Sequence, residues 1–365
     1  MRSSINKILE IVKSLYFSRF PPYVVFFVTA RCNARCKMCF YWRHIETAAS
    51  TSELSLNEIK QISLNMPRFF SLALSGGEPF LRHDLAEICG YFVRHNQIRH
   101  LSIPTNGLLT AAIIQQVGVI CEQAPKTRVE IEFSLDGPAE IHDHIRGVPD
   151  IFTTALKSLK ELLKLEKSYS NLKIKINTTF SNYNQNHLKE FIDFLKNNLK
   201  IDRTNISLLH GEARIKEAEN YDLELYQNII NYLTDRQIVS PELSWFDLIL
   251  ISIKDRARRL LIKVAREKKY PIRCRALKKF IVIREDGQIF PCEPINNPIG
   301  NLRSHHYSIE RLLASVEGKN YQKTFNPQNC YCTWGCSILN NVLYSPGELL
   351  KIFFISLKYK FKKIK

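Results

Sequence analysis

Cys32, Cys36 and Cys39 stand at C-x3-C-x2-C spacing inside "ARCNARCKMCFYW", residues 30–42, which brings three thiols into one short stretch. As thiolates such residues ligate soft or borderline metals, and in a reducing compartment clustered thiols hold metal more often than they pair as disulfides. Three thiolates are one too few to close a [4Fe-4S] cluster, so one iron would keep an open position. The other reading of the same residues is a structural zinc site completed by His44. Further on, Ser75-Gly76-Gly77-Glu78-Pro79 follows a β-rich run. Glycines there let a ligand approach the backbone, and Glu78 offers a carboxylate to an amine. By itself the segment could equally be a plain turn.

The ten cysteines of the chain fall mostly into two groups. Cys274 and Cys292 bracket Gly287 at C-x12-G-x4-C, and Cys330, Cys332 and Cys336 follow at C-x-C-x3-C. Five thiols can satisfy one four-thiolate cluster with one left over, and the sequence does not say which of the last three is spare. Four thiolates would suit a structural zinc equally well. Cys89 and Cys121 sit among apolar residues at helical spacing and read as core.

These residues need elements that position them. From Tyr23 onward, short β-branched runs alternate with longer stretches of helical periodicity, the pattern of βαβ units and a parallel sheet. Six strands are predicted, at 23–29, 69–75, 100–105, 129–135, 173–180 and 205–209. A capping box at Ser55 and Glu58 opens the helix after the first of them. Six such repeats suggest an α/β fold with a partial (β/α)6 TIM-like barrel, because a complete barrel needs about 250 residues. The first cysteine group follows strand one and the glycines follow strand two, at the C-terminal ends where such barrels place their sites. After a helical stretch, "EDGQ" between β-rich runs predicts a hairpin between Cys274 and Cys292.

Together, "CNARCKMC" and "SGGEPFL" in this order resemble the radical SAM superfamily over residues 22–212. The resemblance implies that Cys32, Cys36 and Cys39 ligate a [4Fe-4S] cluster whose free iron binds S-adenosylmethionine. It implies that Gly76, Gly77 and Glu78, with Pro79 beside them, meet the methionine amine and that Phe40 lies near the adenine. "PTNG", "SLDGP", "HDHIRG" and "NTT" occur where the family places groups for ribose and carboxylate, which makes Asn106, Ser134, Arg146 and Asn177 candidates. Arg146 suits a carboxylate because its planar fork reaches both oxygens. His142 and His144 read as solvated residues at a helix start. The chemistry implied is reductive cleavage of S-adenosylmethionine to a 5′-deoxyadenosyl radical that takes hydrogen from a substrate. The second group, with "EDGQIFPCEPI" and "IGNL", resembles the SPASM/twitch extension of that family. The full extension carries seven cysteines and this chain has five, which implies one auxiliary [4Fe-4S] cluster on Cys274, Cys292 and two of Cys330, Cys332 and Cys336.

The domain organisation expected is an amphipathic segment at 1–21, the barrel at 22–212, a helical basic connector at 213–270, a small cysteine-rich SPASM/twitch-like domain at 271–340 and a basic apolar tail at 341–365. The chain has 365 residues, 45% of them hydrophobic and 24% charged, as in folded globular proteins. Its net charge of +17 is local. Residues 254–279 hold twelve Lys and Arg against Asp255 and Glu267, and the last fifteen residues add six lysines. The basic connector is either a solvated face or a docking surface for an acidic reductant such as flavodoxin or ferredoxin. No nucleic acid is expected, since no binding module accompanies the charge.

No secretory signal is read at the N-terminus and the thiols are clustered, so a cytoplasmic location is expected; a monomer is expected as well. The tail "LLKIFFISLKYKFKKIK" mixes apolar residues with lysines, as helices that rest on an anionic membrane at its inner face do; the alternative is packing on the barrel. The substrate is left as a peptide or protein, or a small-molecule or lipid-linked compound. A cyclase of molybdenum-cofactor synthesis is disfavoured, because the enzymes it would resemble end in Gly-Gly and this chain ends in "KKIK". A non-catalytic electron-transfer scaffold is the rival from another class, and Glu78 with its glycines speaks against it.

Overall fold

A computed structural model describes residues 16, 20–50, 52–201, 203–238, 243–327 and 330–364. The chain alternates strand and helix from its first strand: β1 (Tyr23–Thr29), the short α1 (Trp42–Glu46), α2 (Leu56–Asn65), β2 (Ser71–Gly76), α3 (Leu85–Asn96), β3 (His100–Thr105), α4 (Thr110–Gln123), β4 (Arg128–Ser134), α5 (Ala139–Arg146), α6 (Ile151–Ser168), β5 (Leu172–Phe180), α7 (Leu188–Leu199) and β6 (Thr204–Leu208). All six strands lie parallel in the order β6-β5-β4-β3-β2-β1, an open barrel as the repeat count implied.

From β4 to β6 the strands have two faces of different chemistry. The outward residues, such as Ile131, Phe133, Ile174 and Ile176, are buried beneath the helices. The inward residues of β4 and β5 are polar, and Glu132, Ser134, Lys175, Asn177 and Thr179 line a cavity. Parallel strands are usually apolar on both faces, so a polar inner face marks a lumen that holds something other than packed side chains. The capping box at Ser55 forms as expected: its hydroxyl accepts from the Glu58 N–H, and Glu58 accepts from the Ser55 N–H. Cys89 and Cys121 are core residues.

Beyond the barrel come α8 (Leu223–Ile238), the long α9 (Trp245–Glu267), β7 (Phe280–Ile283), β8 (Gln288–Phe290), β9 (Gly300–Asn301), α10 (Ile309–Ala314), α11 (Val316–Thr324), α12 (Gly335–Leu343) and α13 (Pro346–Ile364). The expected hairpin is present, turning at Gly287 with φ +85°. It does not stand apart as a separate sheet: β7 pairs in parallel with β1, and β8 and β9 extend the barrel sheet antiparallel from it.

Two readings of the basic regions are revised. The α9 run does not form one solvated face, because Lys254 and Arg258 line the barrel lumen, Arg256 pairs with Glu348 and Arg259 with Asp255. The tail becomes α13, whose Glu348, Ile352, Ser356 and Tyr359 are buried as it packs along α9. Its other side leaves Leu350, Phe353, Phe354 and Phe361 exposed. Apart from Tyr16, which packs edge-on against Tyr344, and the buried Phe20 and Pro21, the expected amphipathic N-terminal segment lies outside the described residues. Among the described residues no helix is long and apolar enough to cross a membrane.

Candidate active site

The first cysteine group occupies the loop leaving β1, as its place in the sequence required. Glu53 anchors the loop's start, accepting from the Thr29 hydroxyl at 2.6 Å and the Ala30 N–H at 2.9 Å. The loop then docks on the end of α5 through Arg35 N–H to Arg146 O at 3.0 Å and Lys37 N–H to Ile145 O at 2.8 Å. Cys32, Cys36 and Cys39 all line one cavity of about 410 Å³ and carry free thiols. Burial, reinforced by the other thiols, pushes Cys32 up to about 11 and Cys39 up to about 12.

The glycines of "SGGEP" have a definite steric role. A Cβ on Gly76, at φ +125°, would lie 2.2 Å from Thr29 O, and one on Gly77 would lie 2.0 Å from Arg31 O. Their bareness lets the end of β2 press against the cysteine loop, where Gly77 N–H donates to Thr29 O and Glu78 N–H to Arg31 O, both at 2.8 Å. The expectation that they admit a ligand is therefore refined: both line the cavity, yet what they admit first is the neighbouring backbone. Pro79 is buried at the start of the turn that follows.

Glu78 is buried to 1% exposure yet faces that cavity. Its carboxylate accepts from Phe80 N–H at 3.2 Å, Thr105 Oγ1 at 3.0 Å and Asn106 N–H at 2.7 Å. Burial outweighs these donors and raises it to about 7. A carboxylate held among neutral donors, with no cation in hydrogen-bond contact, is half of an ion pair. Thus the residues present fit a cofactor that brings metal to three thiols and an ammonium to a carboxylate.

Other expected residues gather here with altered roles. Arg146 is not a free fork: it grips Asp136 with Nε at 2.7 Å and Nη2 at 2.6 Å and directs Nη1 to Cys36 Sγ at 3.6 Å. Asp136 drives its pKa up despite burial, so it stays a fixed cation beside the thiols. Asn106 donates to Asn33 Oδ1 at 2.7 Å and so ties the Glu78 turn to the cysteine loop. Asn177 accepts from Asn205 at 2.9 Å and Ser207 at 3.1 Å, while Ser134 lines the cavity. Phe40 packs 4.6 Å from the His210 ring, and Gly211, at φ +72°, leaves room for it. His142 is fully buried, not solvated, and accepts from Asp136 N–H; burial lowers it to about 2. His144 is at the surface beside Lys37.

The zinc alternative loses its fourth ligand. His44 stacks on Tyr41 at 4.6 Å and meets Arg284 through Nε2. Among the described residues no three His, Cys, Asp or Glu side chains converge on a point that could hold a single metal ion.

In the second group, Cys274, Cys292, Cys330 and Cys332 lie near one another: burial raises the pKa of Cys292 and all three neighbours add to the rise. Cys336 stands elsewhere, lining the lumen beside Tyr23, Glu132, Glu293 and Lys175. Sequence reasoning passed over Glu53 and the lumen-facing Lys254 and Arg258. Only the alternation of polar residues in the strands hinted at a lumen that would need them.

Comparison with known proteins agrees with this arrangement. Residues 26–195 match the family model described as Radical SAM superfamily. The AdoMet-dependent heme synthase of Oleidesulfovibrio alaskensis is 28% identical over 298 residues, covering 77% of this chain and 71% of that protein. The protein of the same name from Methanosarcina barkeri is 26% identical over 306 residues, covering 79% and 81%. Among solved structures, Streptococcus suis SuiB bound to precursor peptide SuiA superposes with a TM-score of 0.57 at 18% identity, over 94% of this chain and 77% of that one. The anSMEcpe structure with bound AdoMet and Cp18Cys peptide gives 0.57 at 15% identity, over 94% and 98%. Residues 26–195 form a radical SAM domain, a family of enzymes whose cofactors are a [4Fe-4S] cluster and S-adenosylmethionine.

Proposed function

We propose that this enzyme binds its cluster through Cys32, Cys36 and Cys39 and the amine of S-adenosylmethionine through Glu78, and that it takes hydrogen from a substrate held in the barrel lumen. The observation that carries this reading is the meeting of three free thiols and one buried carboxylate at the mouth of one cavity. When bound and reduced by an external donor such as flavodoxin or ferredoxin, the cofactor pair supplies a 5′-deoxyadenosyl radical. The protein's part is placement. Gly76 and Gly77 let the Glu78 turn lock onto the cysteine loop, and Arg146 holds a positive charge against Cys36. Phe27, Phe40 and Trp334 keep an apolar wall around the thiols, which excludes water from a reactive site.

The two AdoMet-dependent heme synthases span most of this chain, which favours a small-molecule substrate over a peptide. For the auxiliary site, the grouping of thiols supports one [4Fe-4S] cluster on Cys274, Cys292, Cys330 and Cys332, with Cys336 as the spare. Anaerobic reconstitution tests both parts. The chain is expected to take about eight irons, two four-iron clusters, and to release 5′-deoxyadenosine when reduced. Cys336→Ser should keep about eight irons and Cys330→Ser about four. Stoichiometric zinc without iron would overturn the reading, and equal iron loss in both serine variants would overturn the ligand assignment.

The exposed stripe of α13 supports contact with an anionic membrane. Leu350, Phe353, Phe354 and Phe361 face outward with Lys358 and Lys360 exposed among them, an apolar strip edged by cations. Flotation with phosphatidylserine vesicles at low salt should recover the intact chain, and Phe353→Ser with Phe354→Ser should cut the bound fraction by about tenfold. An intact chain left at the bottom of the gradient would refute the contact.

A further inference from the structure

One cluster of charge in the lumen takes no part in holding the cofactors. Lys175, on β5, reaches Glu132 at 3.1 Å and Glu130 at 3.5 Å, and Arg128 reaches Glu130 at 3.2 Å. These pairs use both carboxylates. From α9, Lys254 and Arg258 enter the same space. Arg258 is 7% exposed, and its hydrogen-bond partner is the neutral Asn205 Oδ1 at 3.2 Å. Lys254 has neither hydrogen bond nor ion pair among the described residues. Burial, Lys175 and Arg258 press it down to about 8 against the smaller opposing pull of Glu130, which Lys175 and Arg128 already engage. Glu293, the remaining lumen carboxylate nearby, is engaged by His210 at 3.2 Å.

Two cations directed into a cavity, neither in hydrogen-bond contact with a carboxylate, are costly to bury, and the cost is relieved when an anion enters between them. Lys175 lies two residues below Asn177 on the same inner face of β5, roughly 7 Å further from the cysteine loop. An anion there would anchor one end of a molecule whose other end reaches the thiols. We infer that Lys254 and Arg258 form an anion-binding subsite for the substrate, which therefore carries a carboxylate or a phosphate group. The inference rests on the reading of the lumen as the substrate site; it adds the chemical class. A planar guanidinium and a mobile ammonium together suit either oxyanion.

The test uses glutarate, glycerol phosphate and the uncharged glutaramide as probes on the cluster-loaded chain without S-adenosylmethionine. At ten times its dissociation constant, an anionic probe should raise the unfolding midpoint by about 2 °C, and glutaramide should not. Which of the two anions acts decides between carboxylate and phosphate. Lys254→Met, which removes a side chain without bonds to the rest of the fold, should abolish at least half of the shift. Lys263→Met, at an exposed position on the same helix, should retain it, which separates the subsite from the general positive charge. An equal shift in Lys254→Met, or none in the parent chain, overturns the inference. Probe binding needs no turnover: a chain that binds probe but never cleaves S-adenosylmethionine overturns the proposed function alone, and the converse overturns the subsite alone.

Discussion

Replacing Cys32, Cys36 and Cys39 together by alanine should lower reconstituted iron from about eight to about four per chain and take 5′-deoxyadenosine release to the uncatalysed background. The iron count and the cleavage assay must move together. The fold is expected to survive, because the loop is pinned by its backbone, through Arg35 and Lys37 to α5 and through Thr29 and Arg31 to the Gly77–Glu78 turn. What disappears is the ligand set, so the remaining four irons mark the auxiliary site. Arg146→Met is the subtler companion. It keeps all three thiols but removes the cation 3.6 Å from Cys36 and strands Asp136 in a buried setting, so cluster loading should fall along with stability. Unchanged cleavage in the triple variant would show that the thiols of this loop are not the cluster ligands.

The residues legible in the sequence are those whose chemistry is local. The thiol spacing, the glycine pair and Glu78 each occupy a few consecutive positions. The six strands announced themselves as short β-branched runs, within one or two residues of the observed ends, and the stretches between them by helical periodicity. What escaped depends on contacts between distant positions. Asp136 lies inside "SLDGP", and nothing local says that Arg146 will fork onto it and direct its charge to Cys36, 110 positions from Arg146. The basic run of α9 looked uniform along the chain, yet a helix points successive residues in different directions, so Lys254 and Arg258 turn into the lumen while Arg256 and Arg259 pair elsewhere. The cysteine hairpin was recognisable, but its parallel pairing with β1, Tyr23 opposite Phe280, joins segments that no local pattern links. The same long-range closure separates Cys336 from Cys330 and Cys332, which spacing alone could not do.

Glu78→Ala should weaken S-adenosylmethionine binding by about 100- to 1,000-fold, the loss expected when one partner of a buried ion pair is removed. The pH dependence of the parent chain distinguishes this role from a structural one. Glu78 titrates at about 7 in the empty site because burial raises it from 4.5. Its raised value means that the protonated form suits the fold; that contribution is present at low pH and is lost as pH rises through 7. An empty site above pH 7 therefore carries an ionised carboxylate at a cost of about 3 kcal/mol. An ammonium ligand reverses the balance by pairing with the charge. Affinity should accordingly rise about fivefold between pH 6 and 7.5 as Glu78 loses its proton, then fall above about pH 8 as the ligand's own α-amino group loses its proton. Calorimetric titration across this range should trace a bell, and Glu78→Ala should flatten its acidic limb. If the acidic limb persists in the variant, some other group receives the amine and Glu78 serves only to brace Thr105 and Asn106.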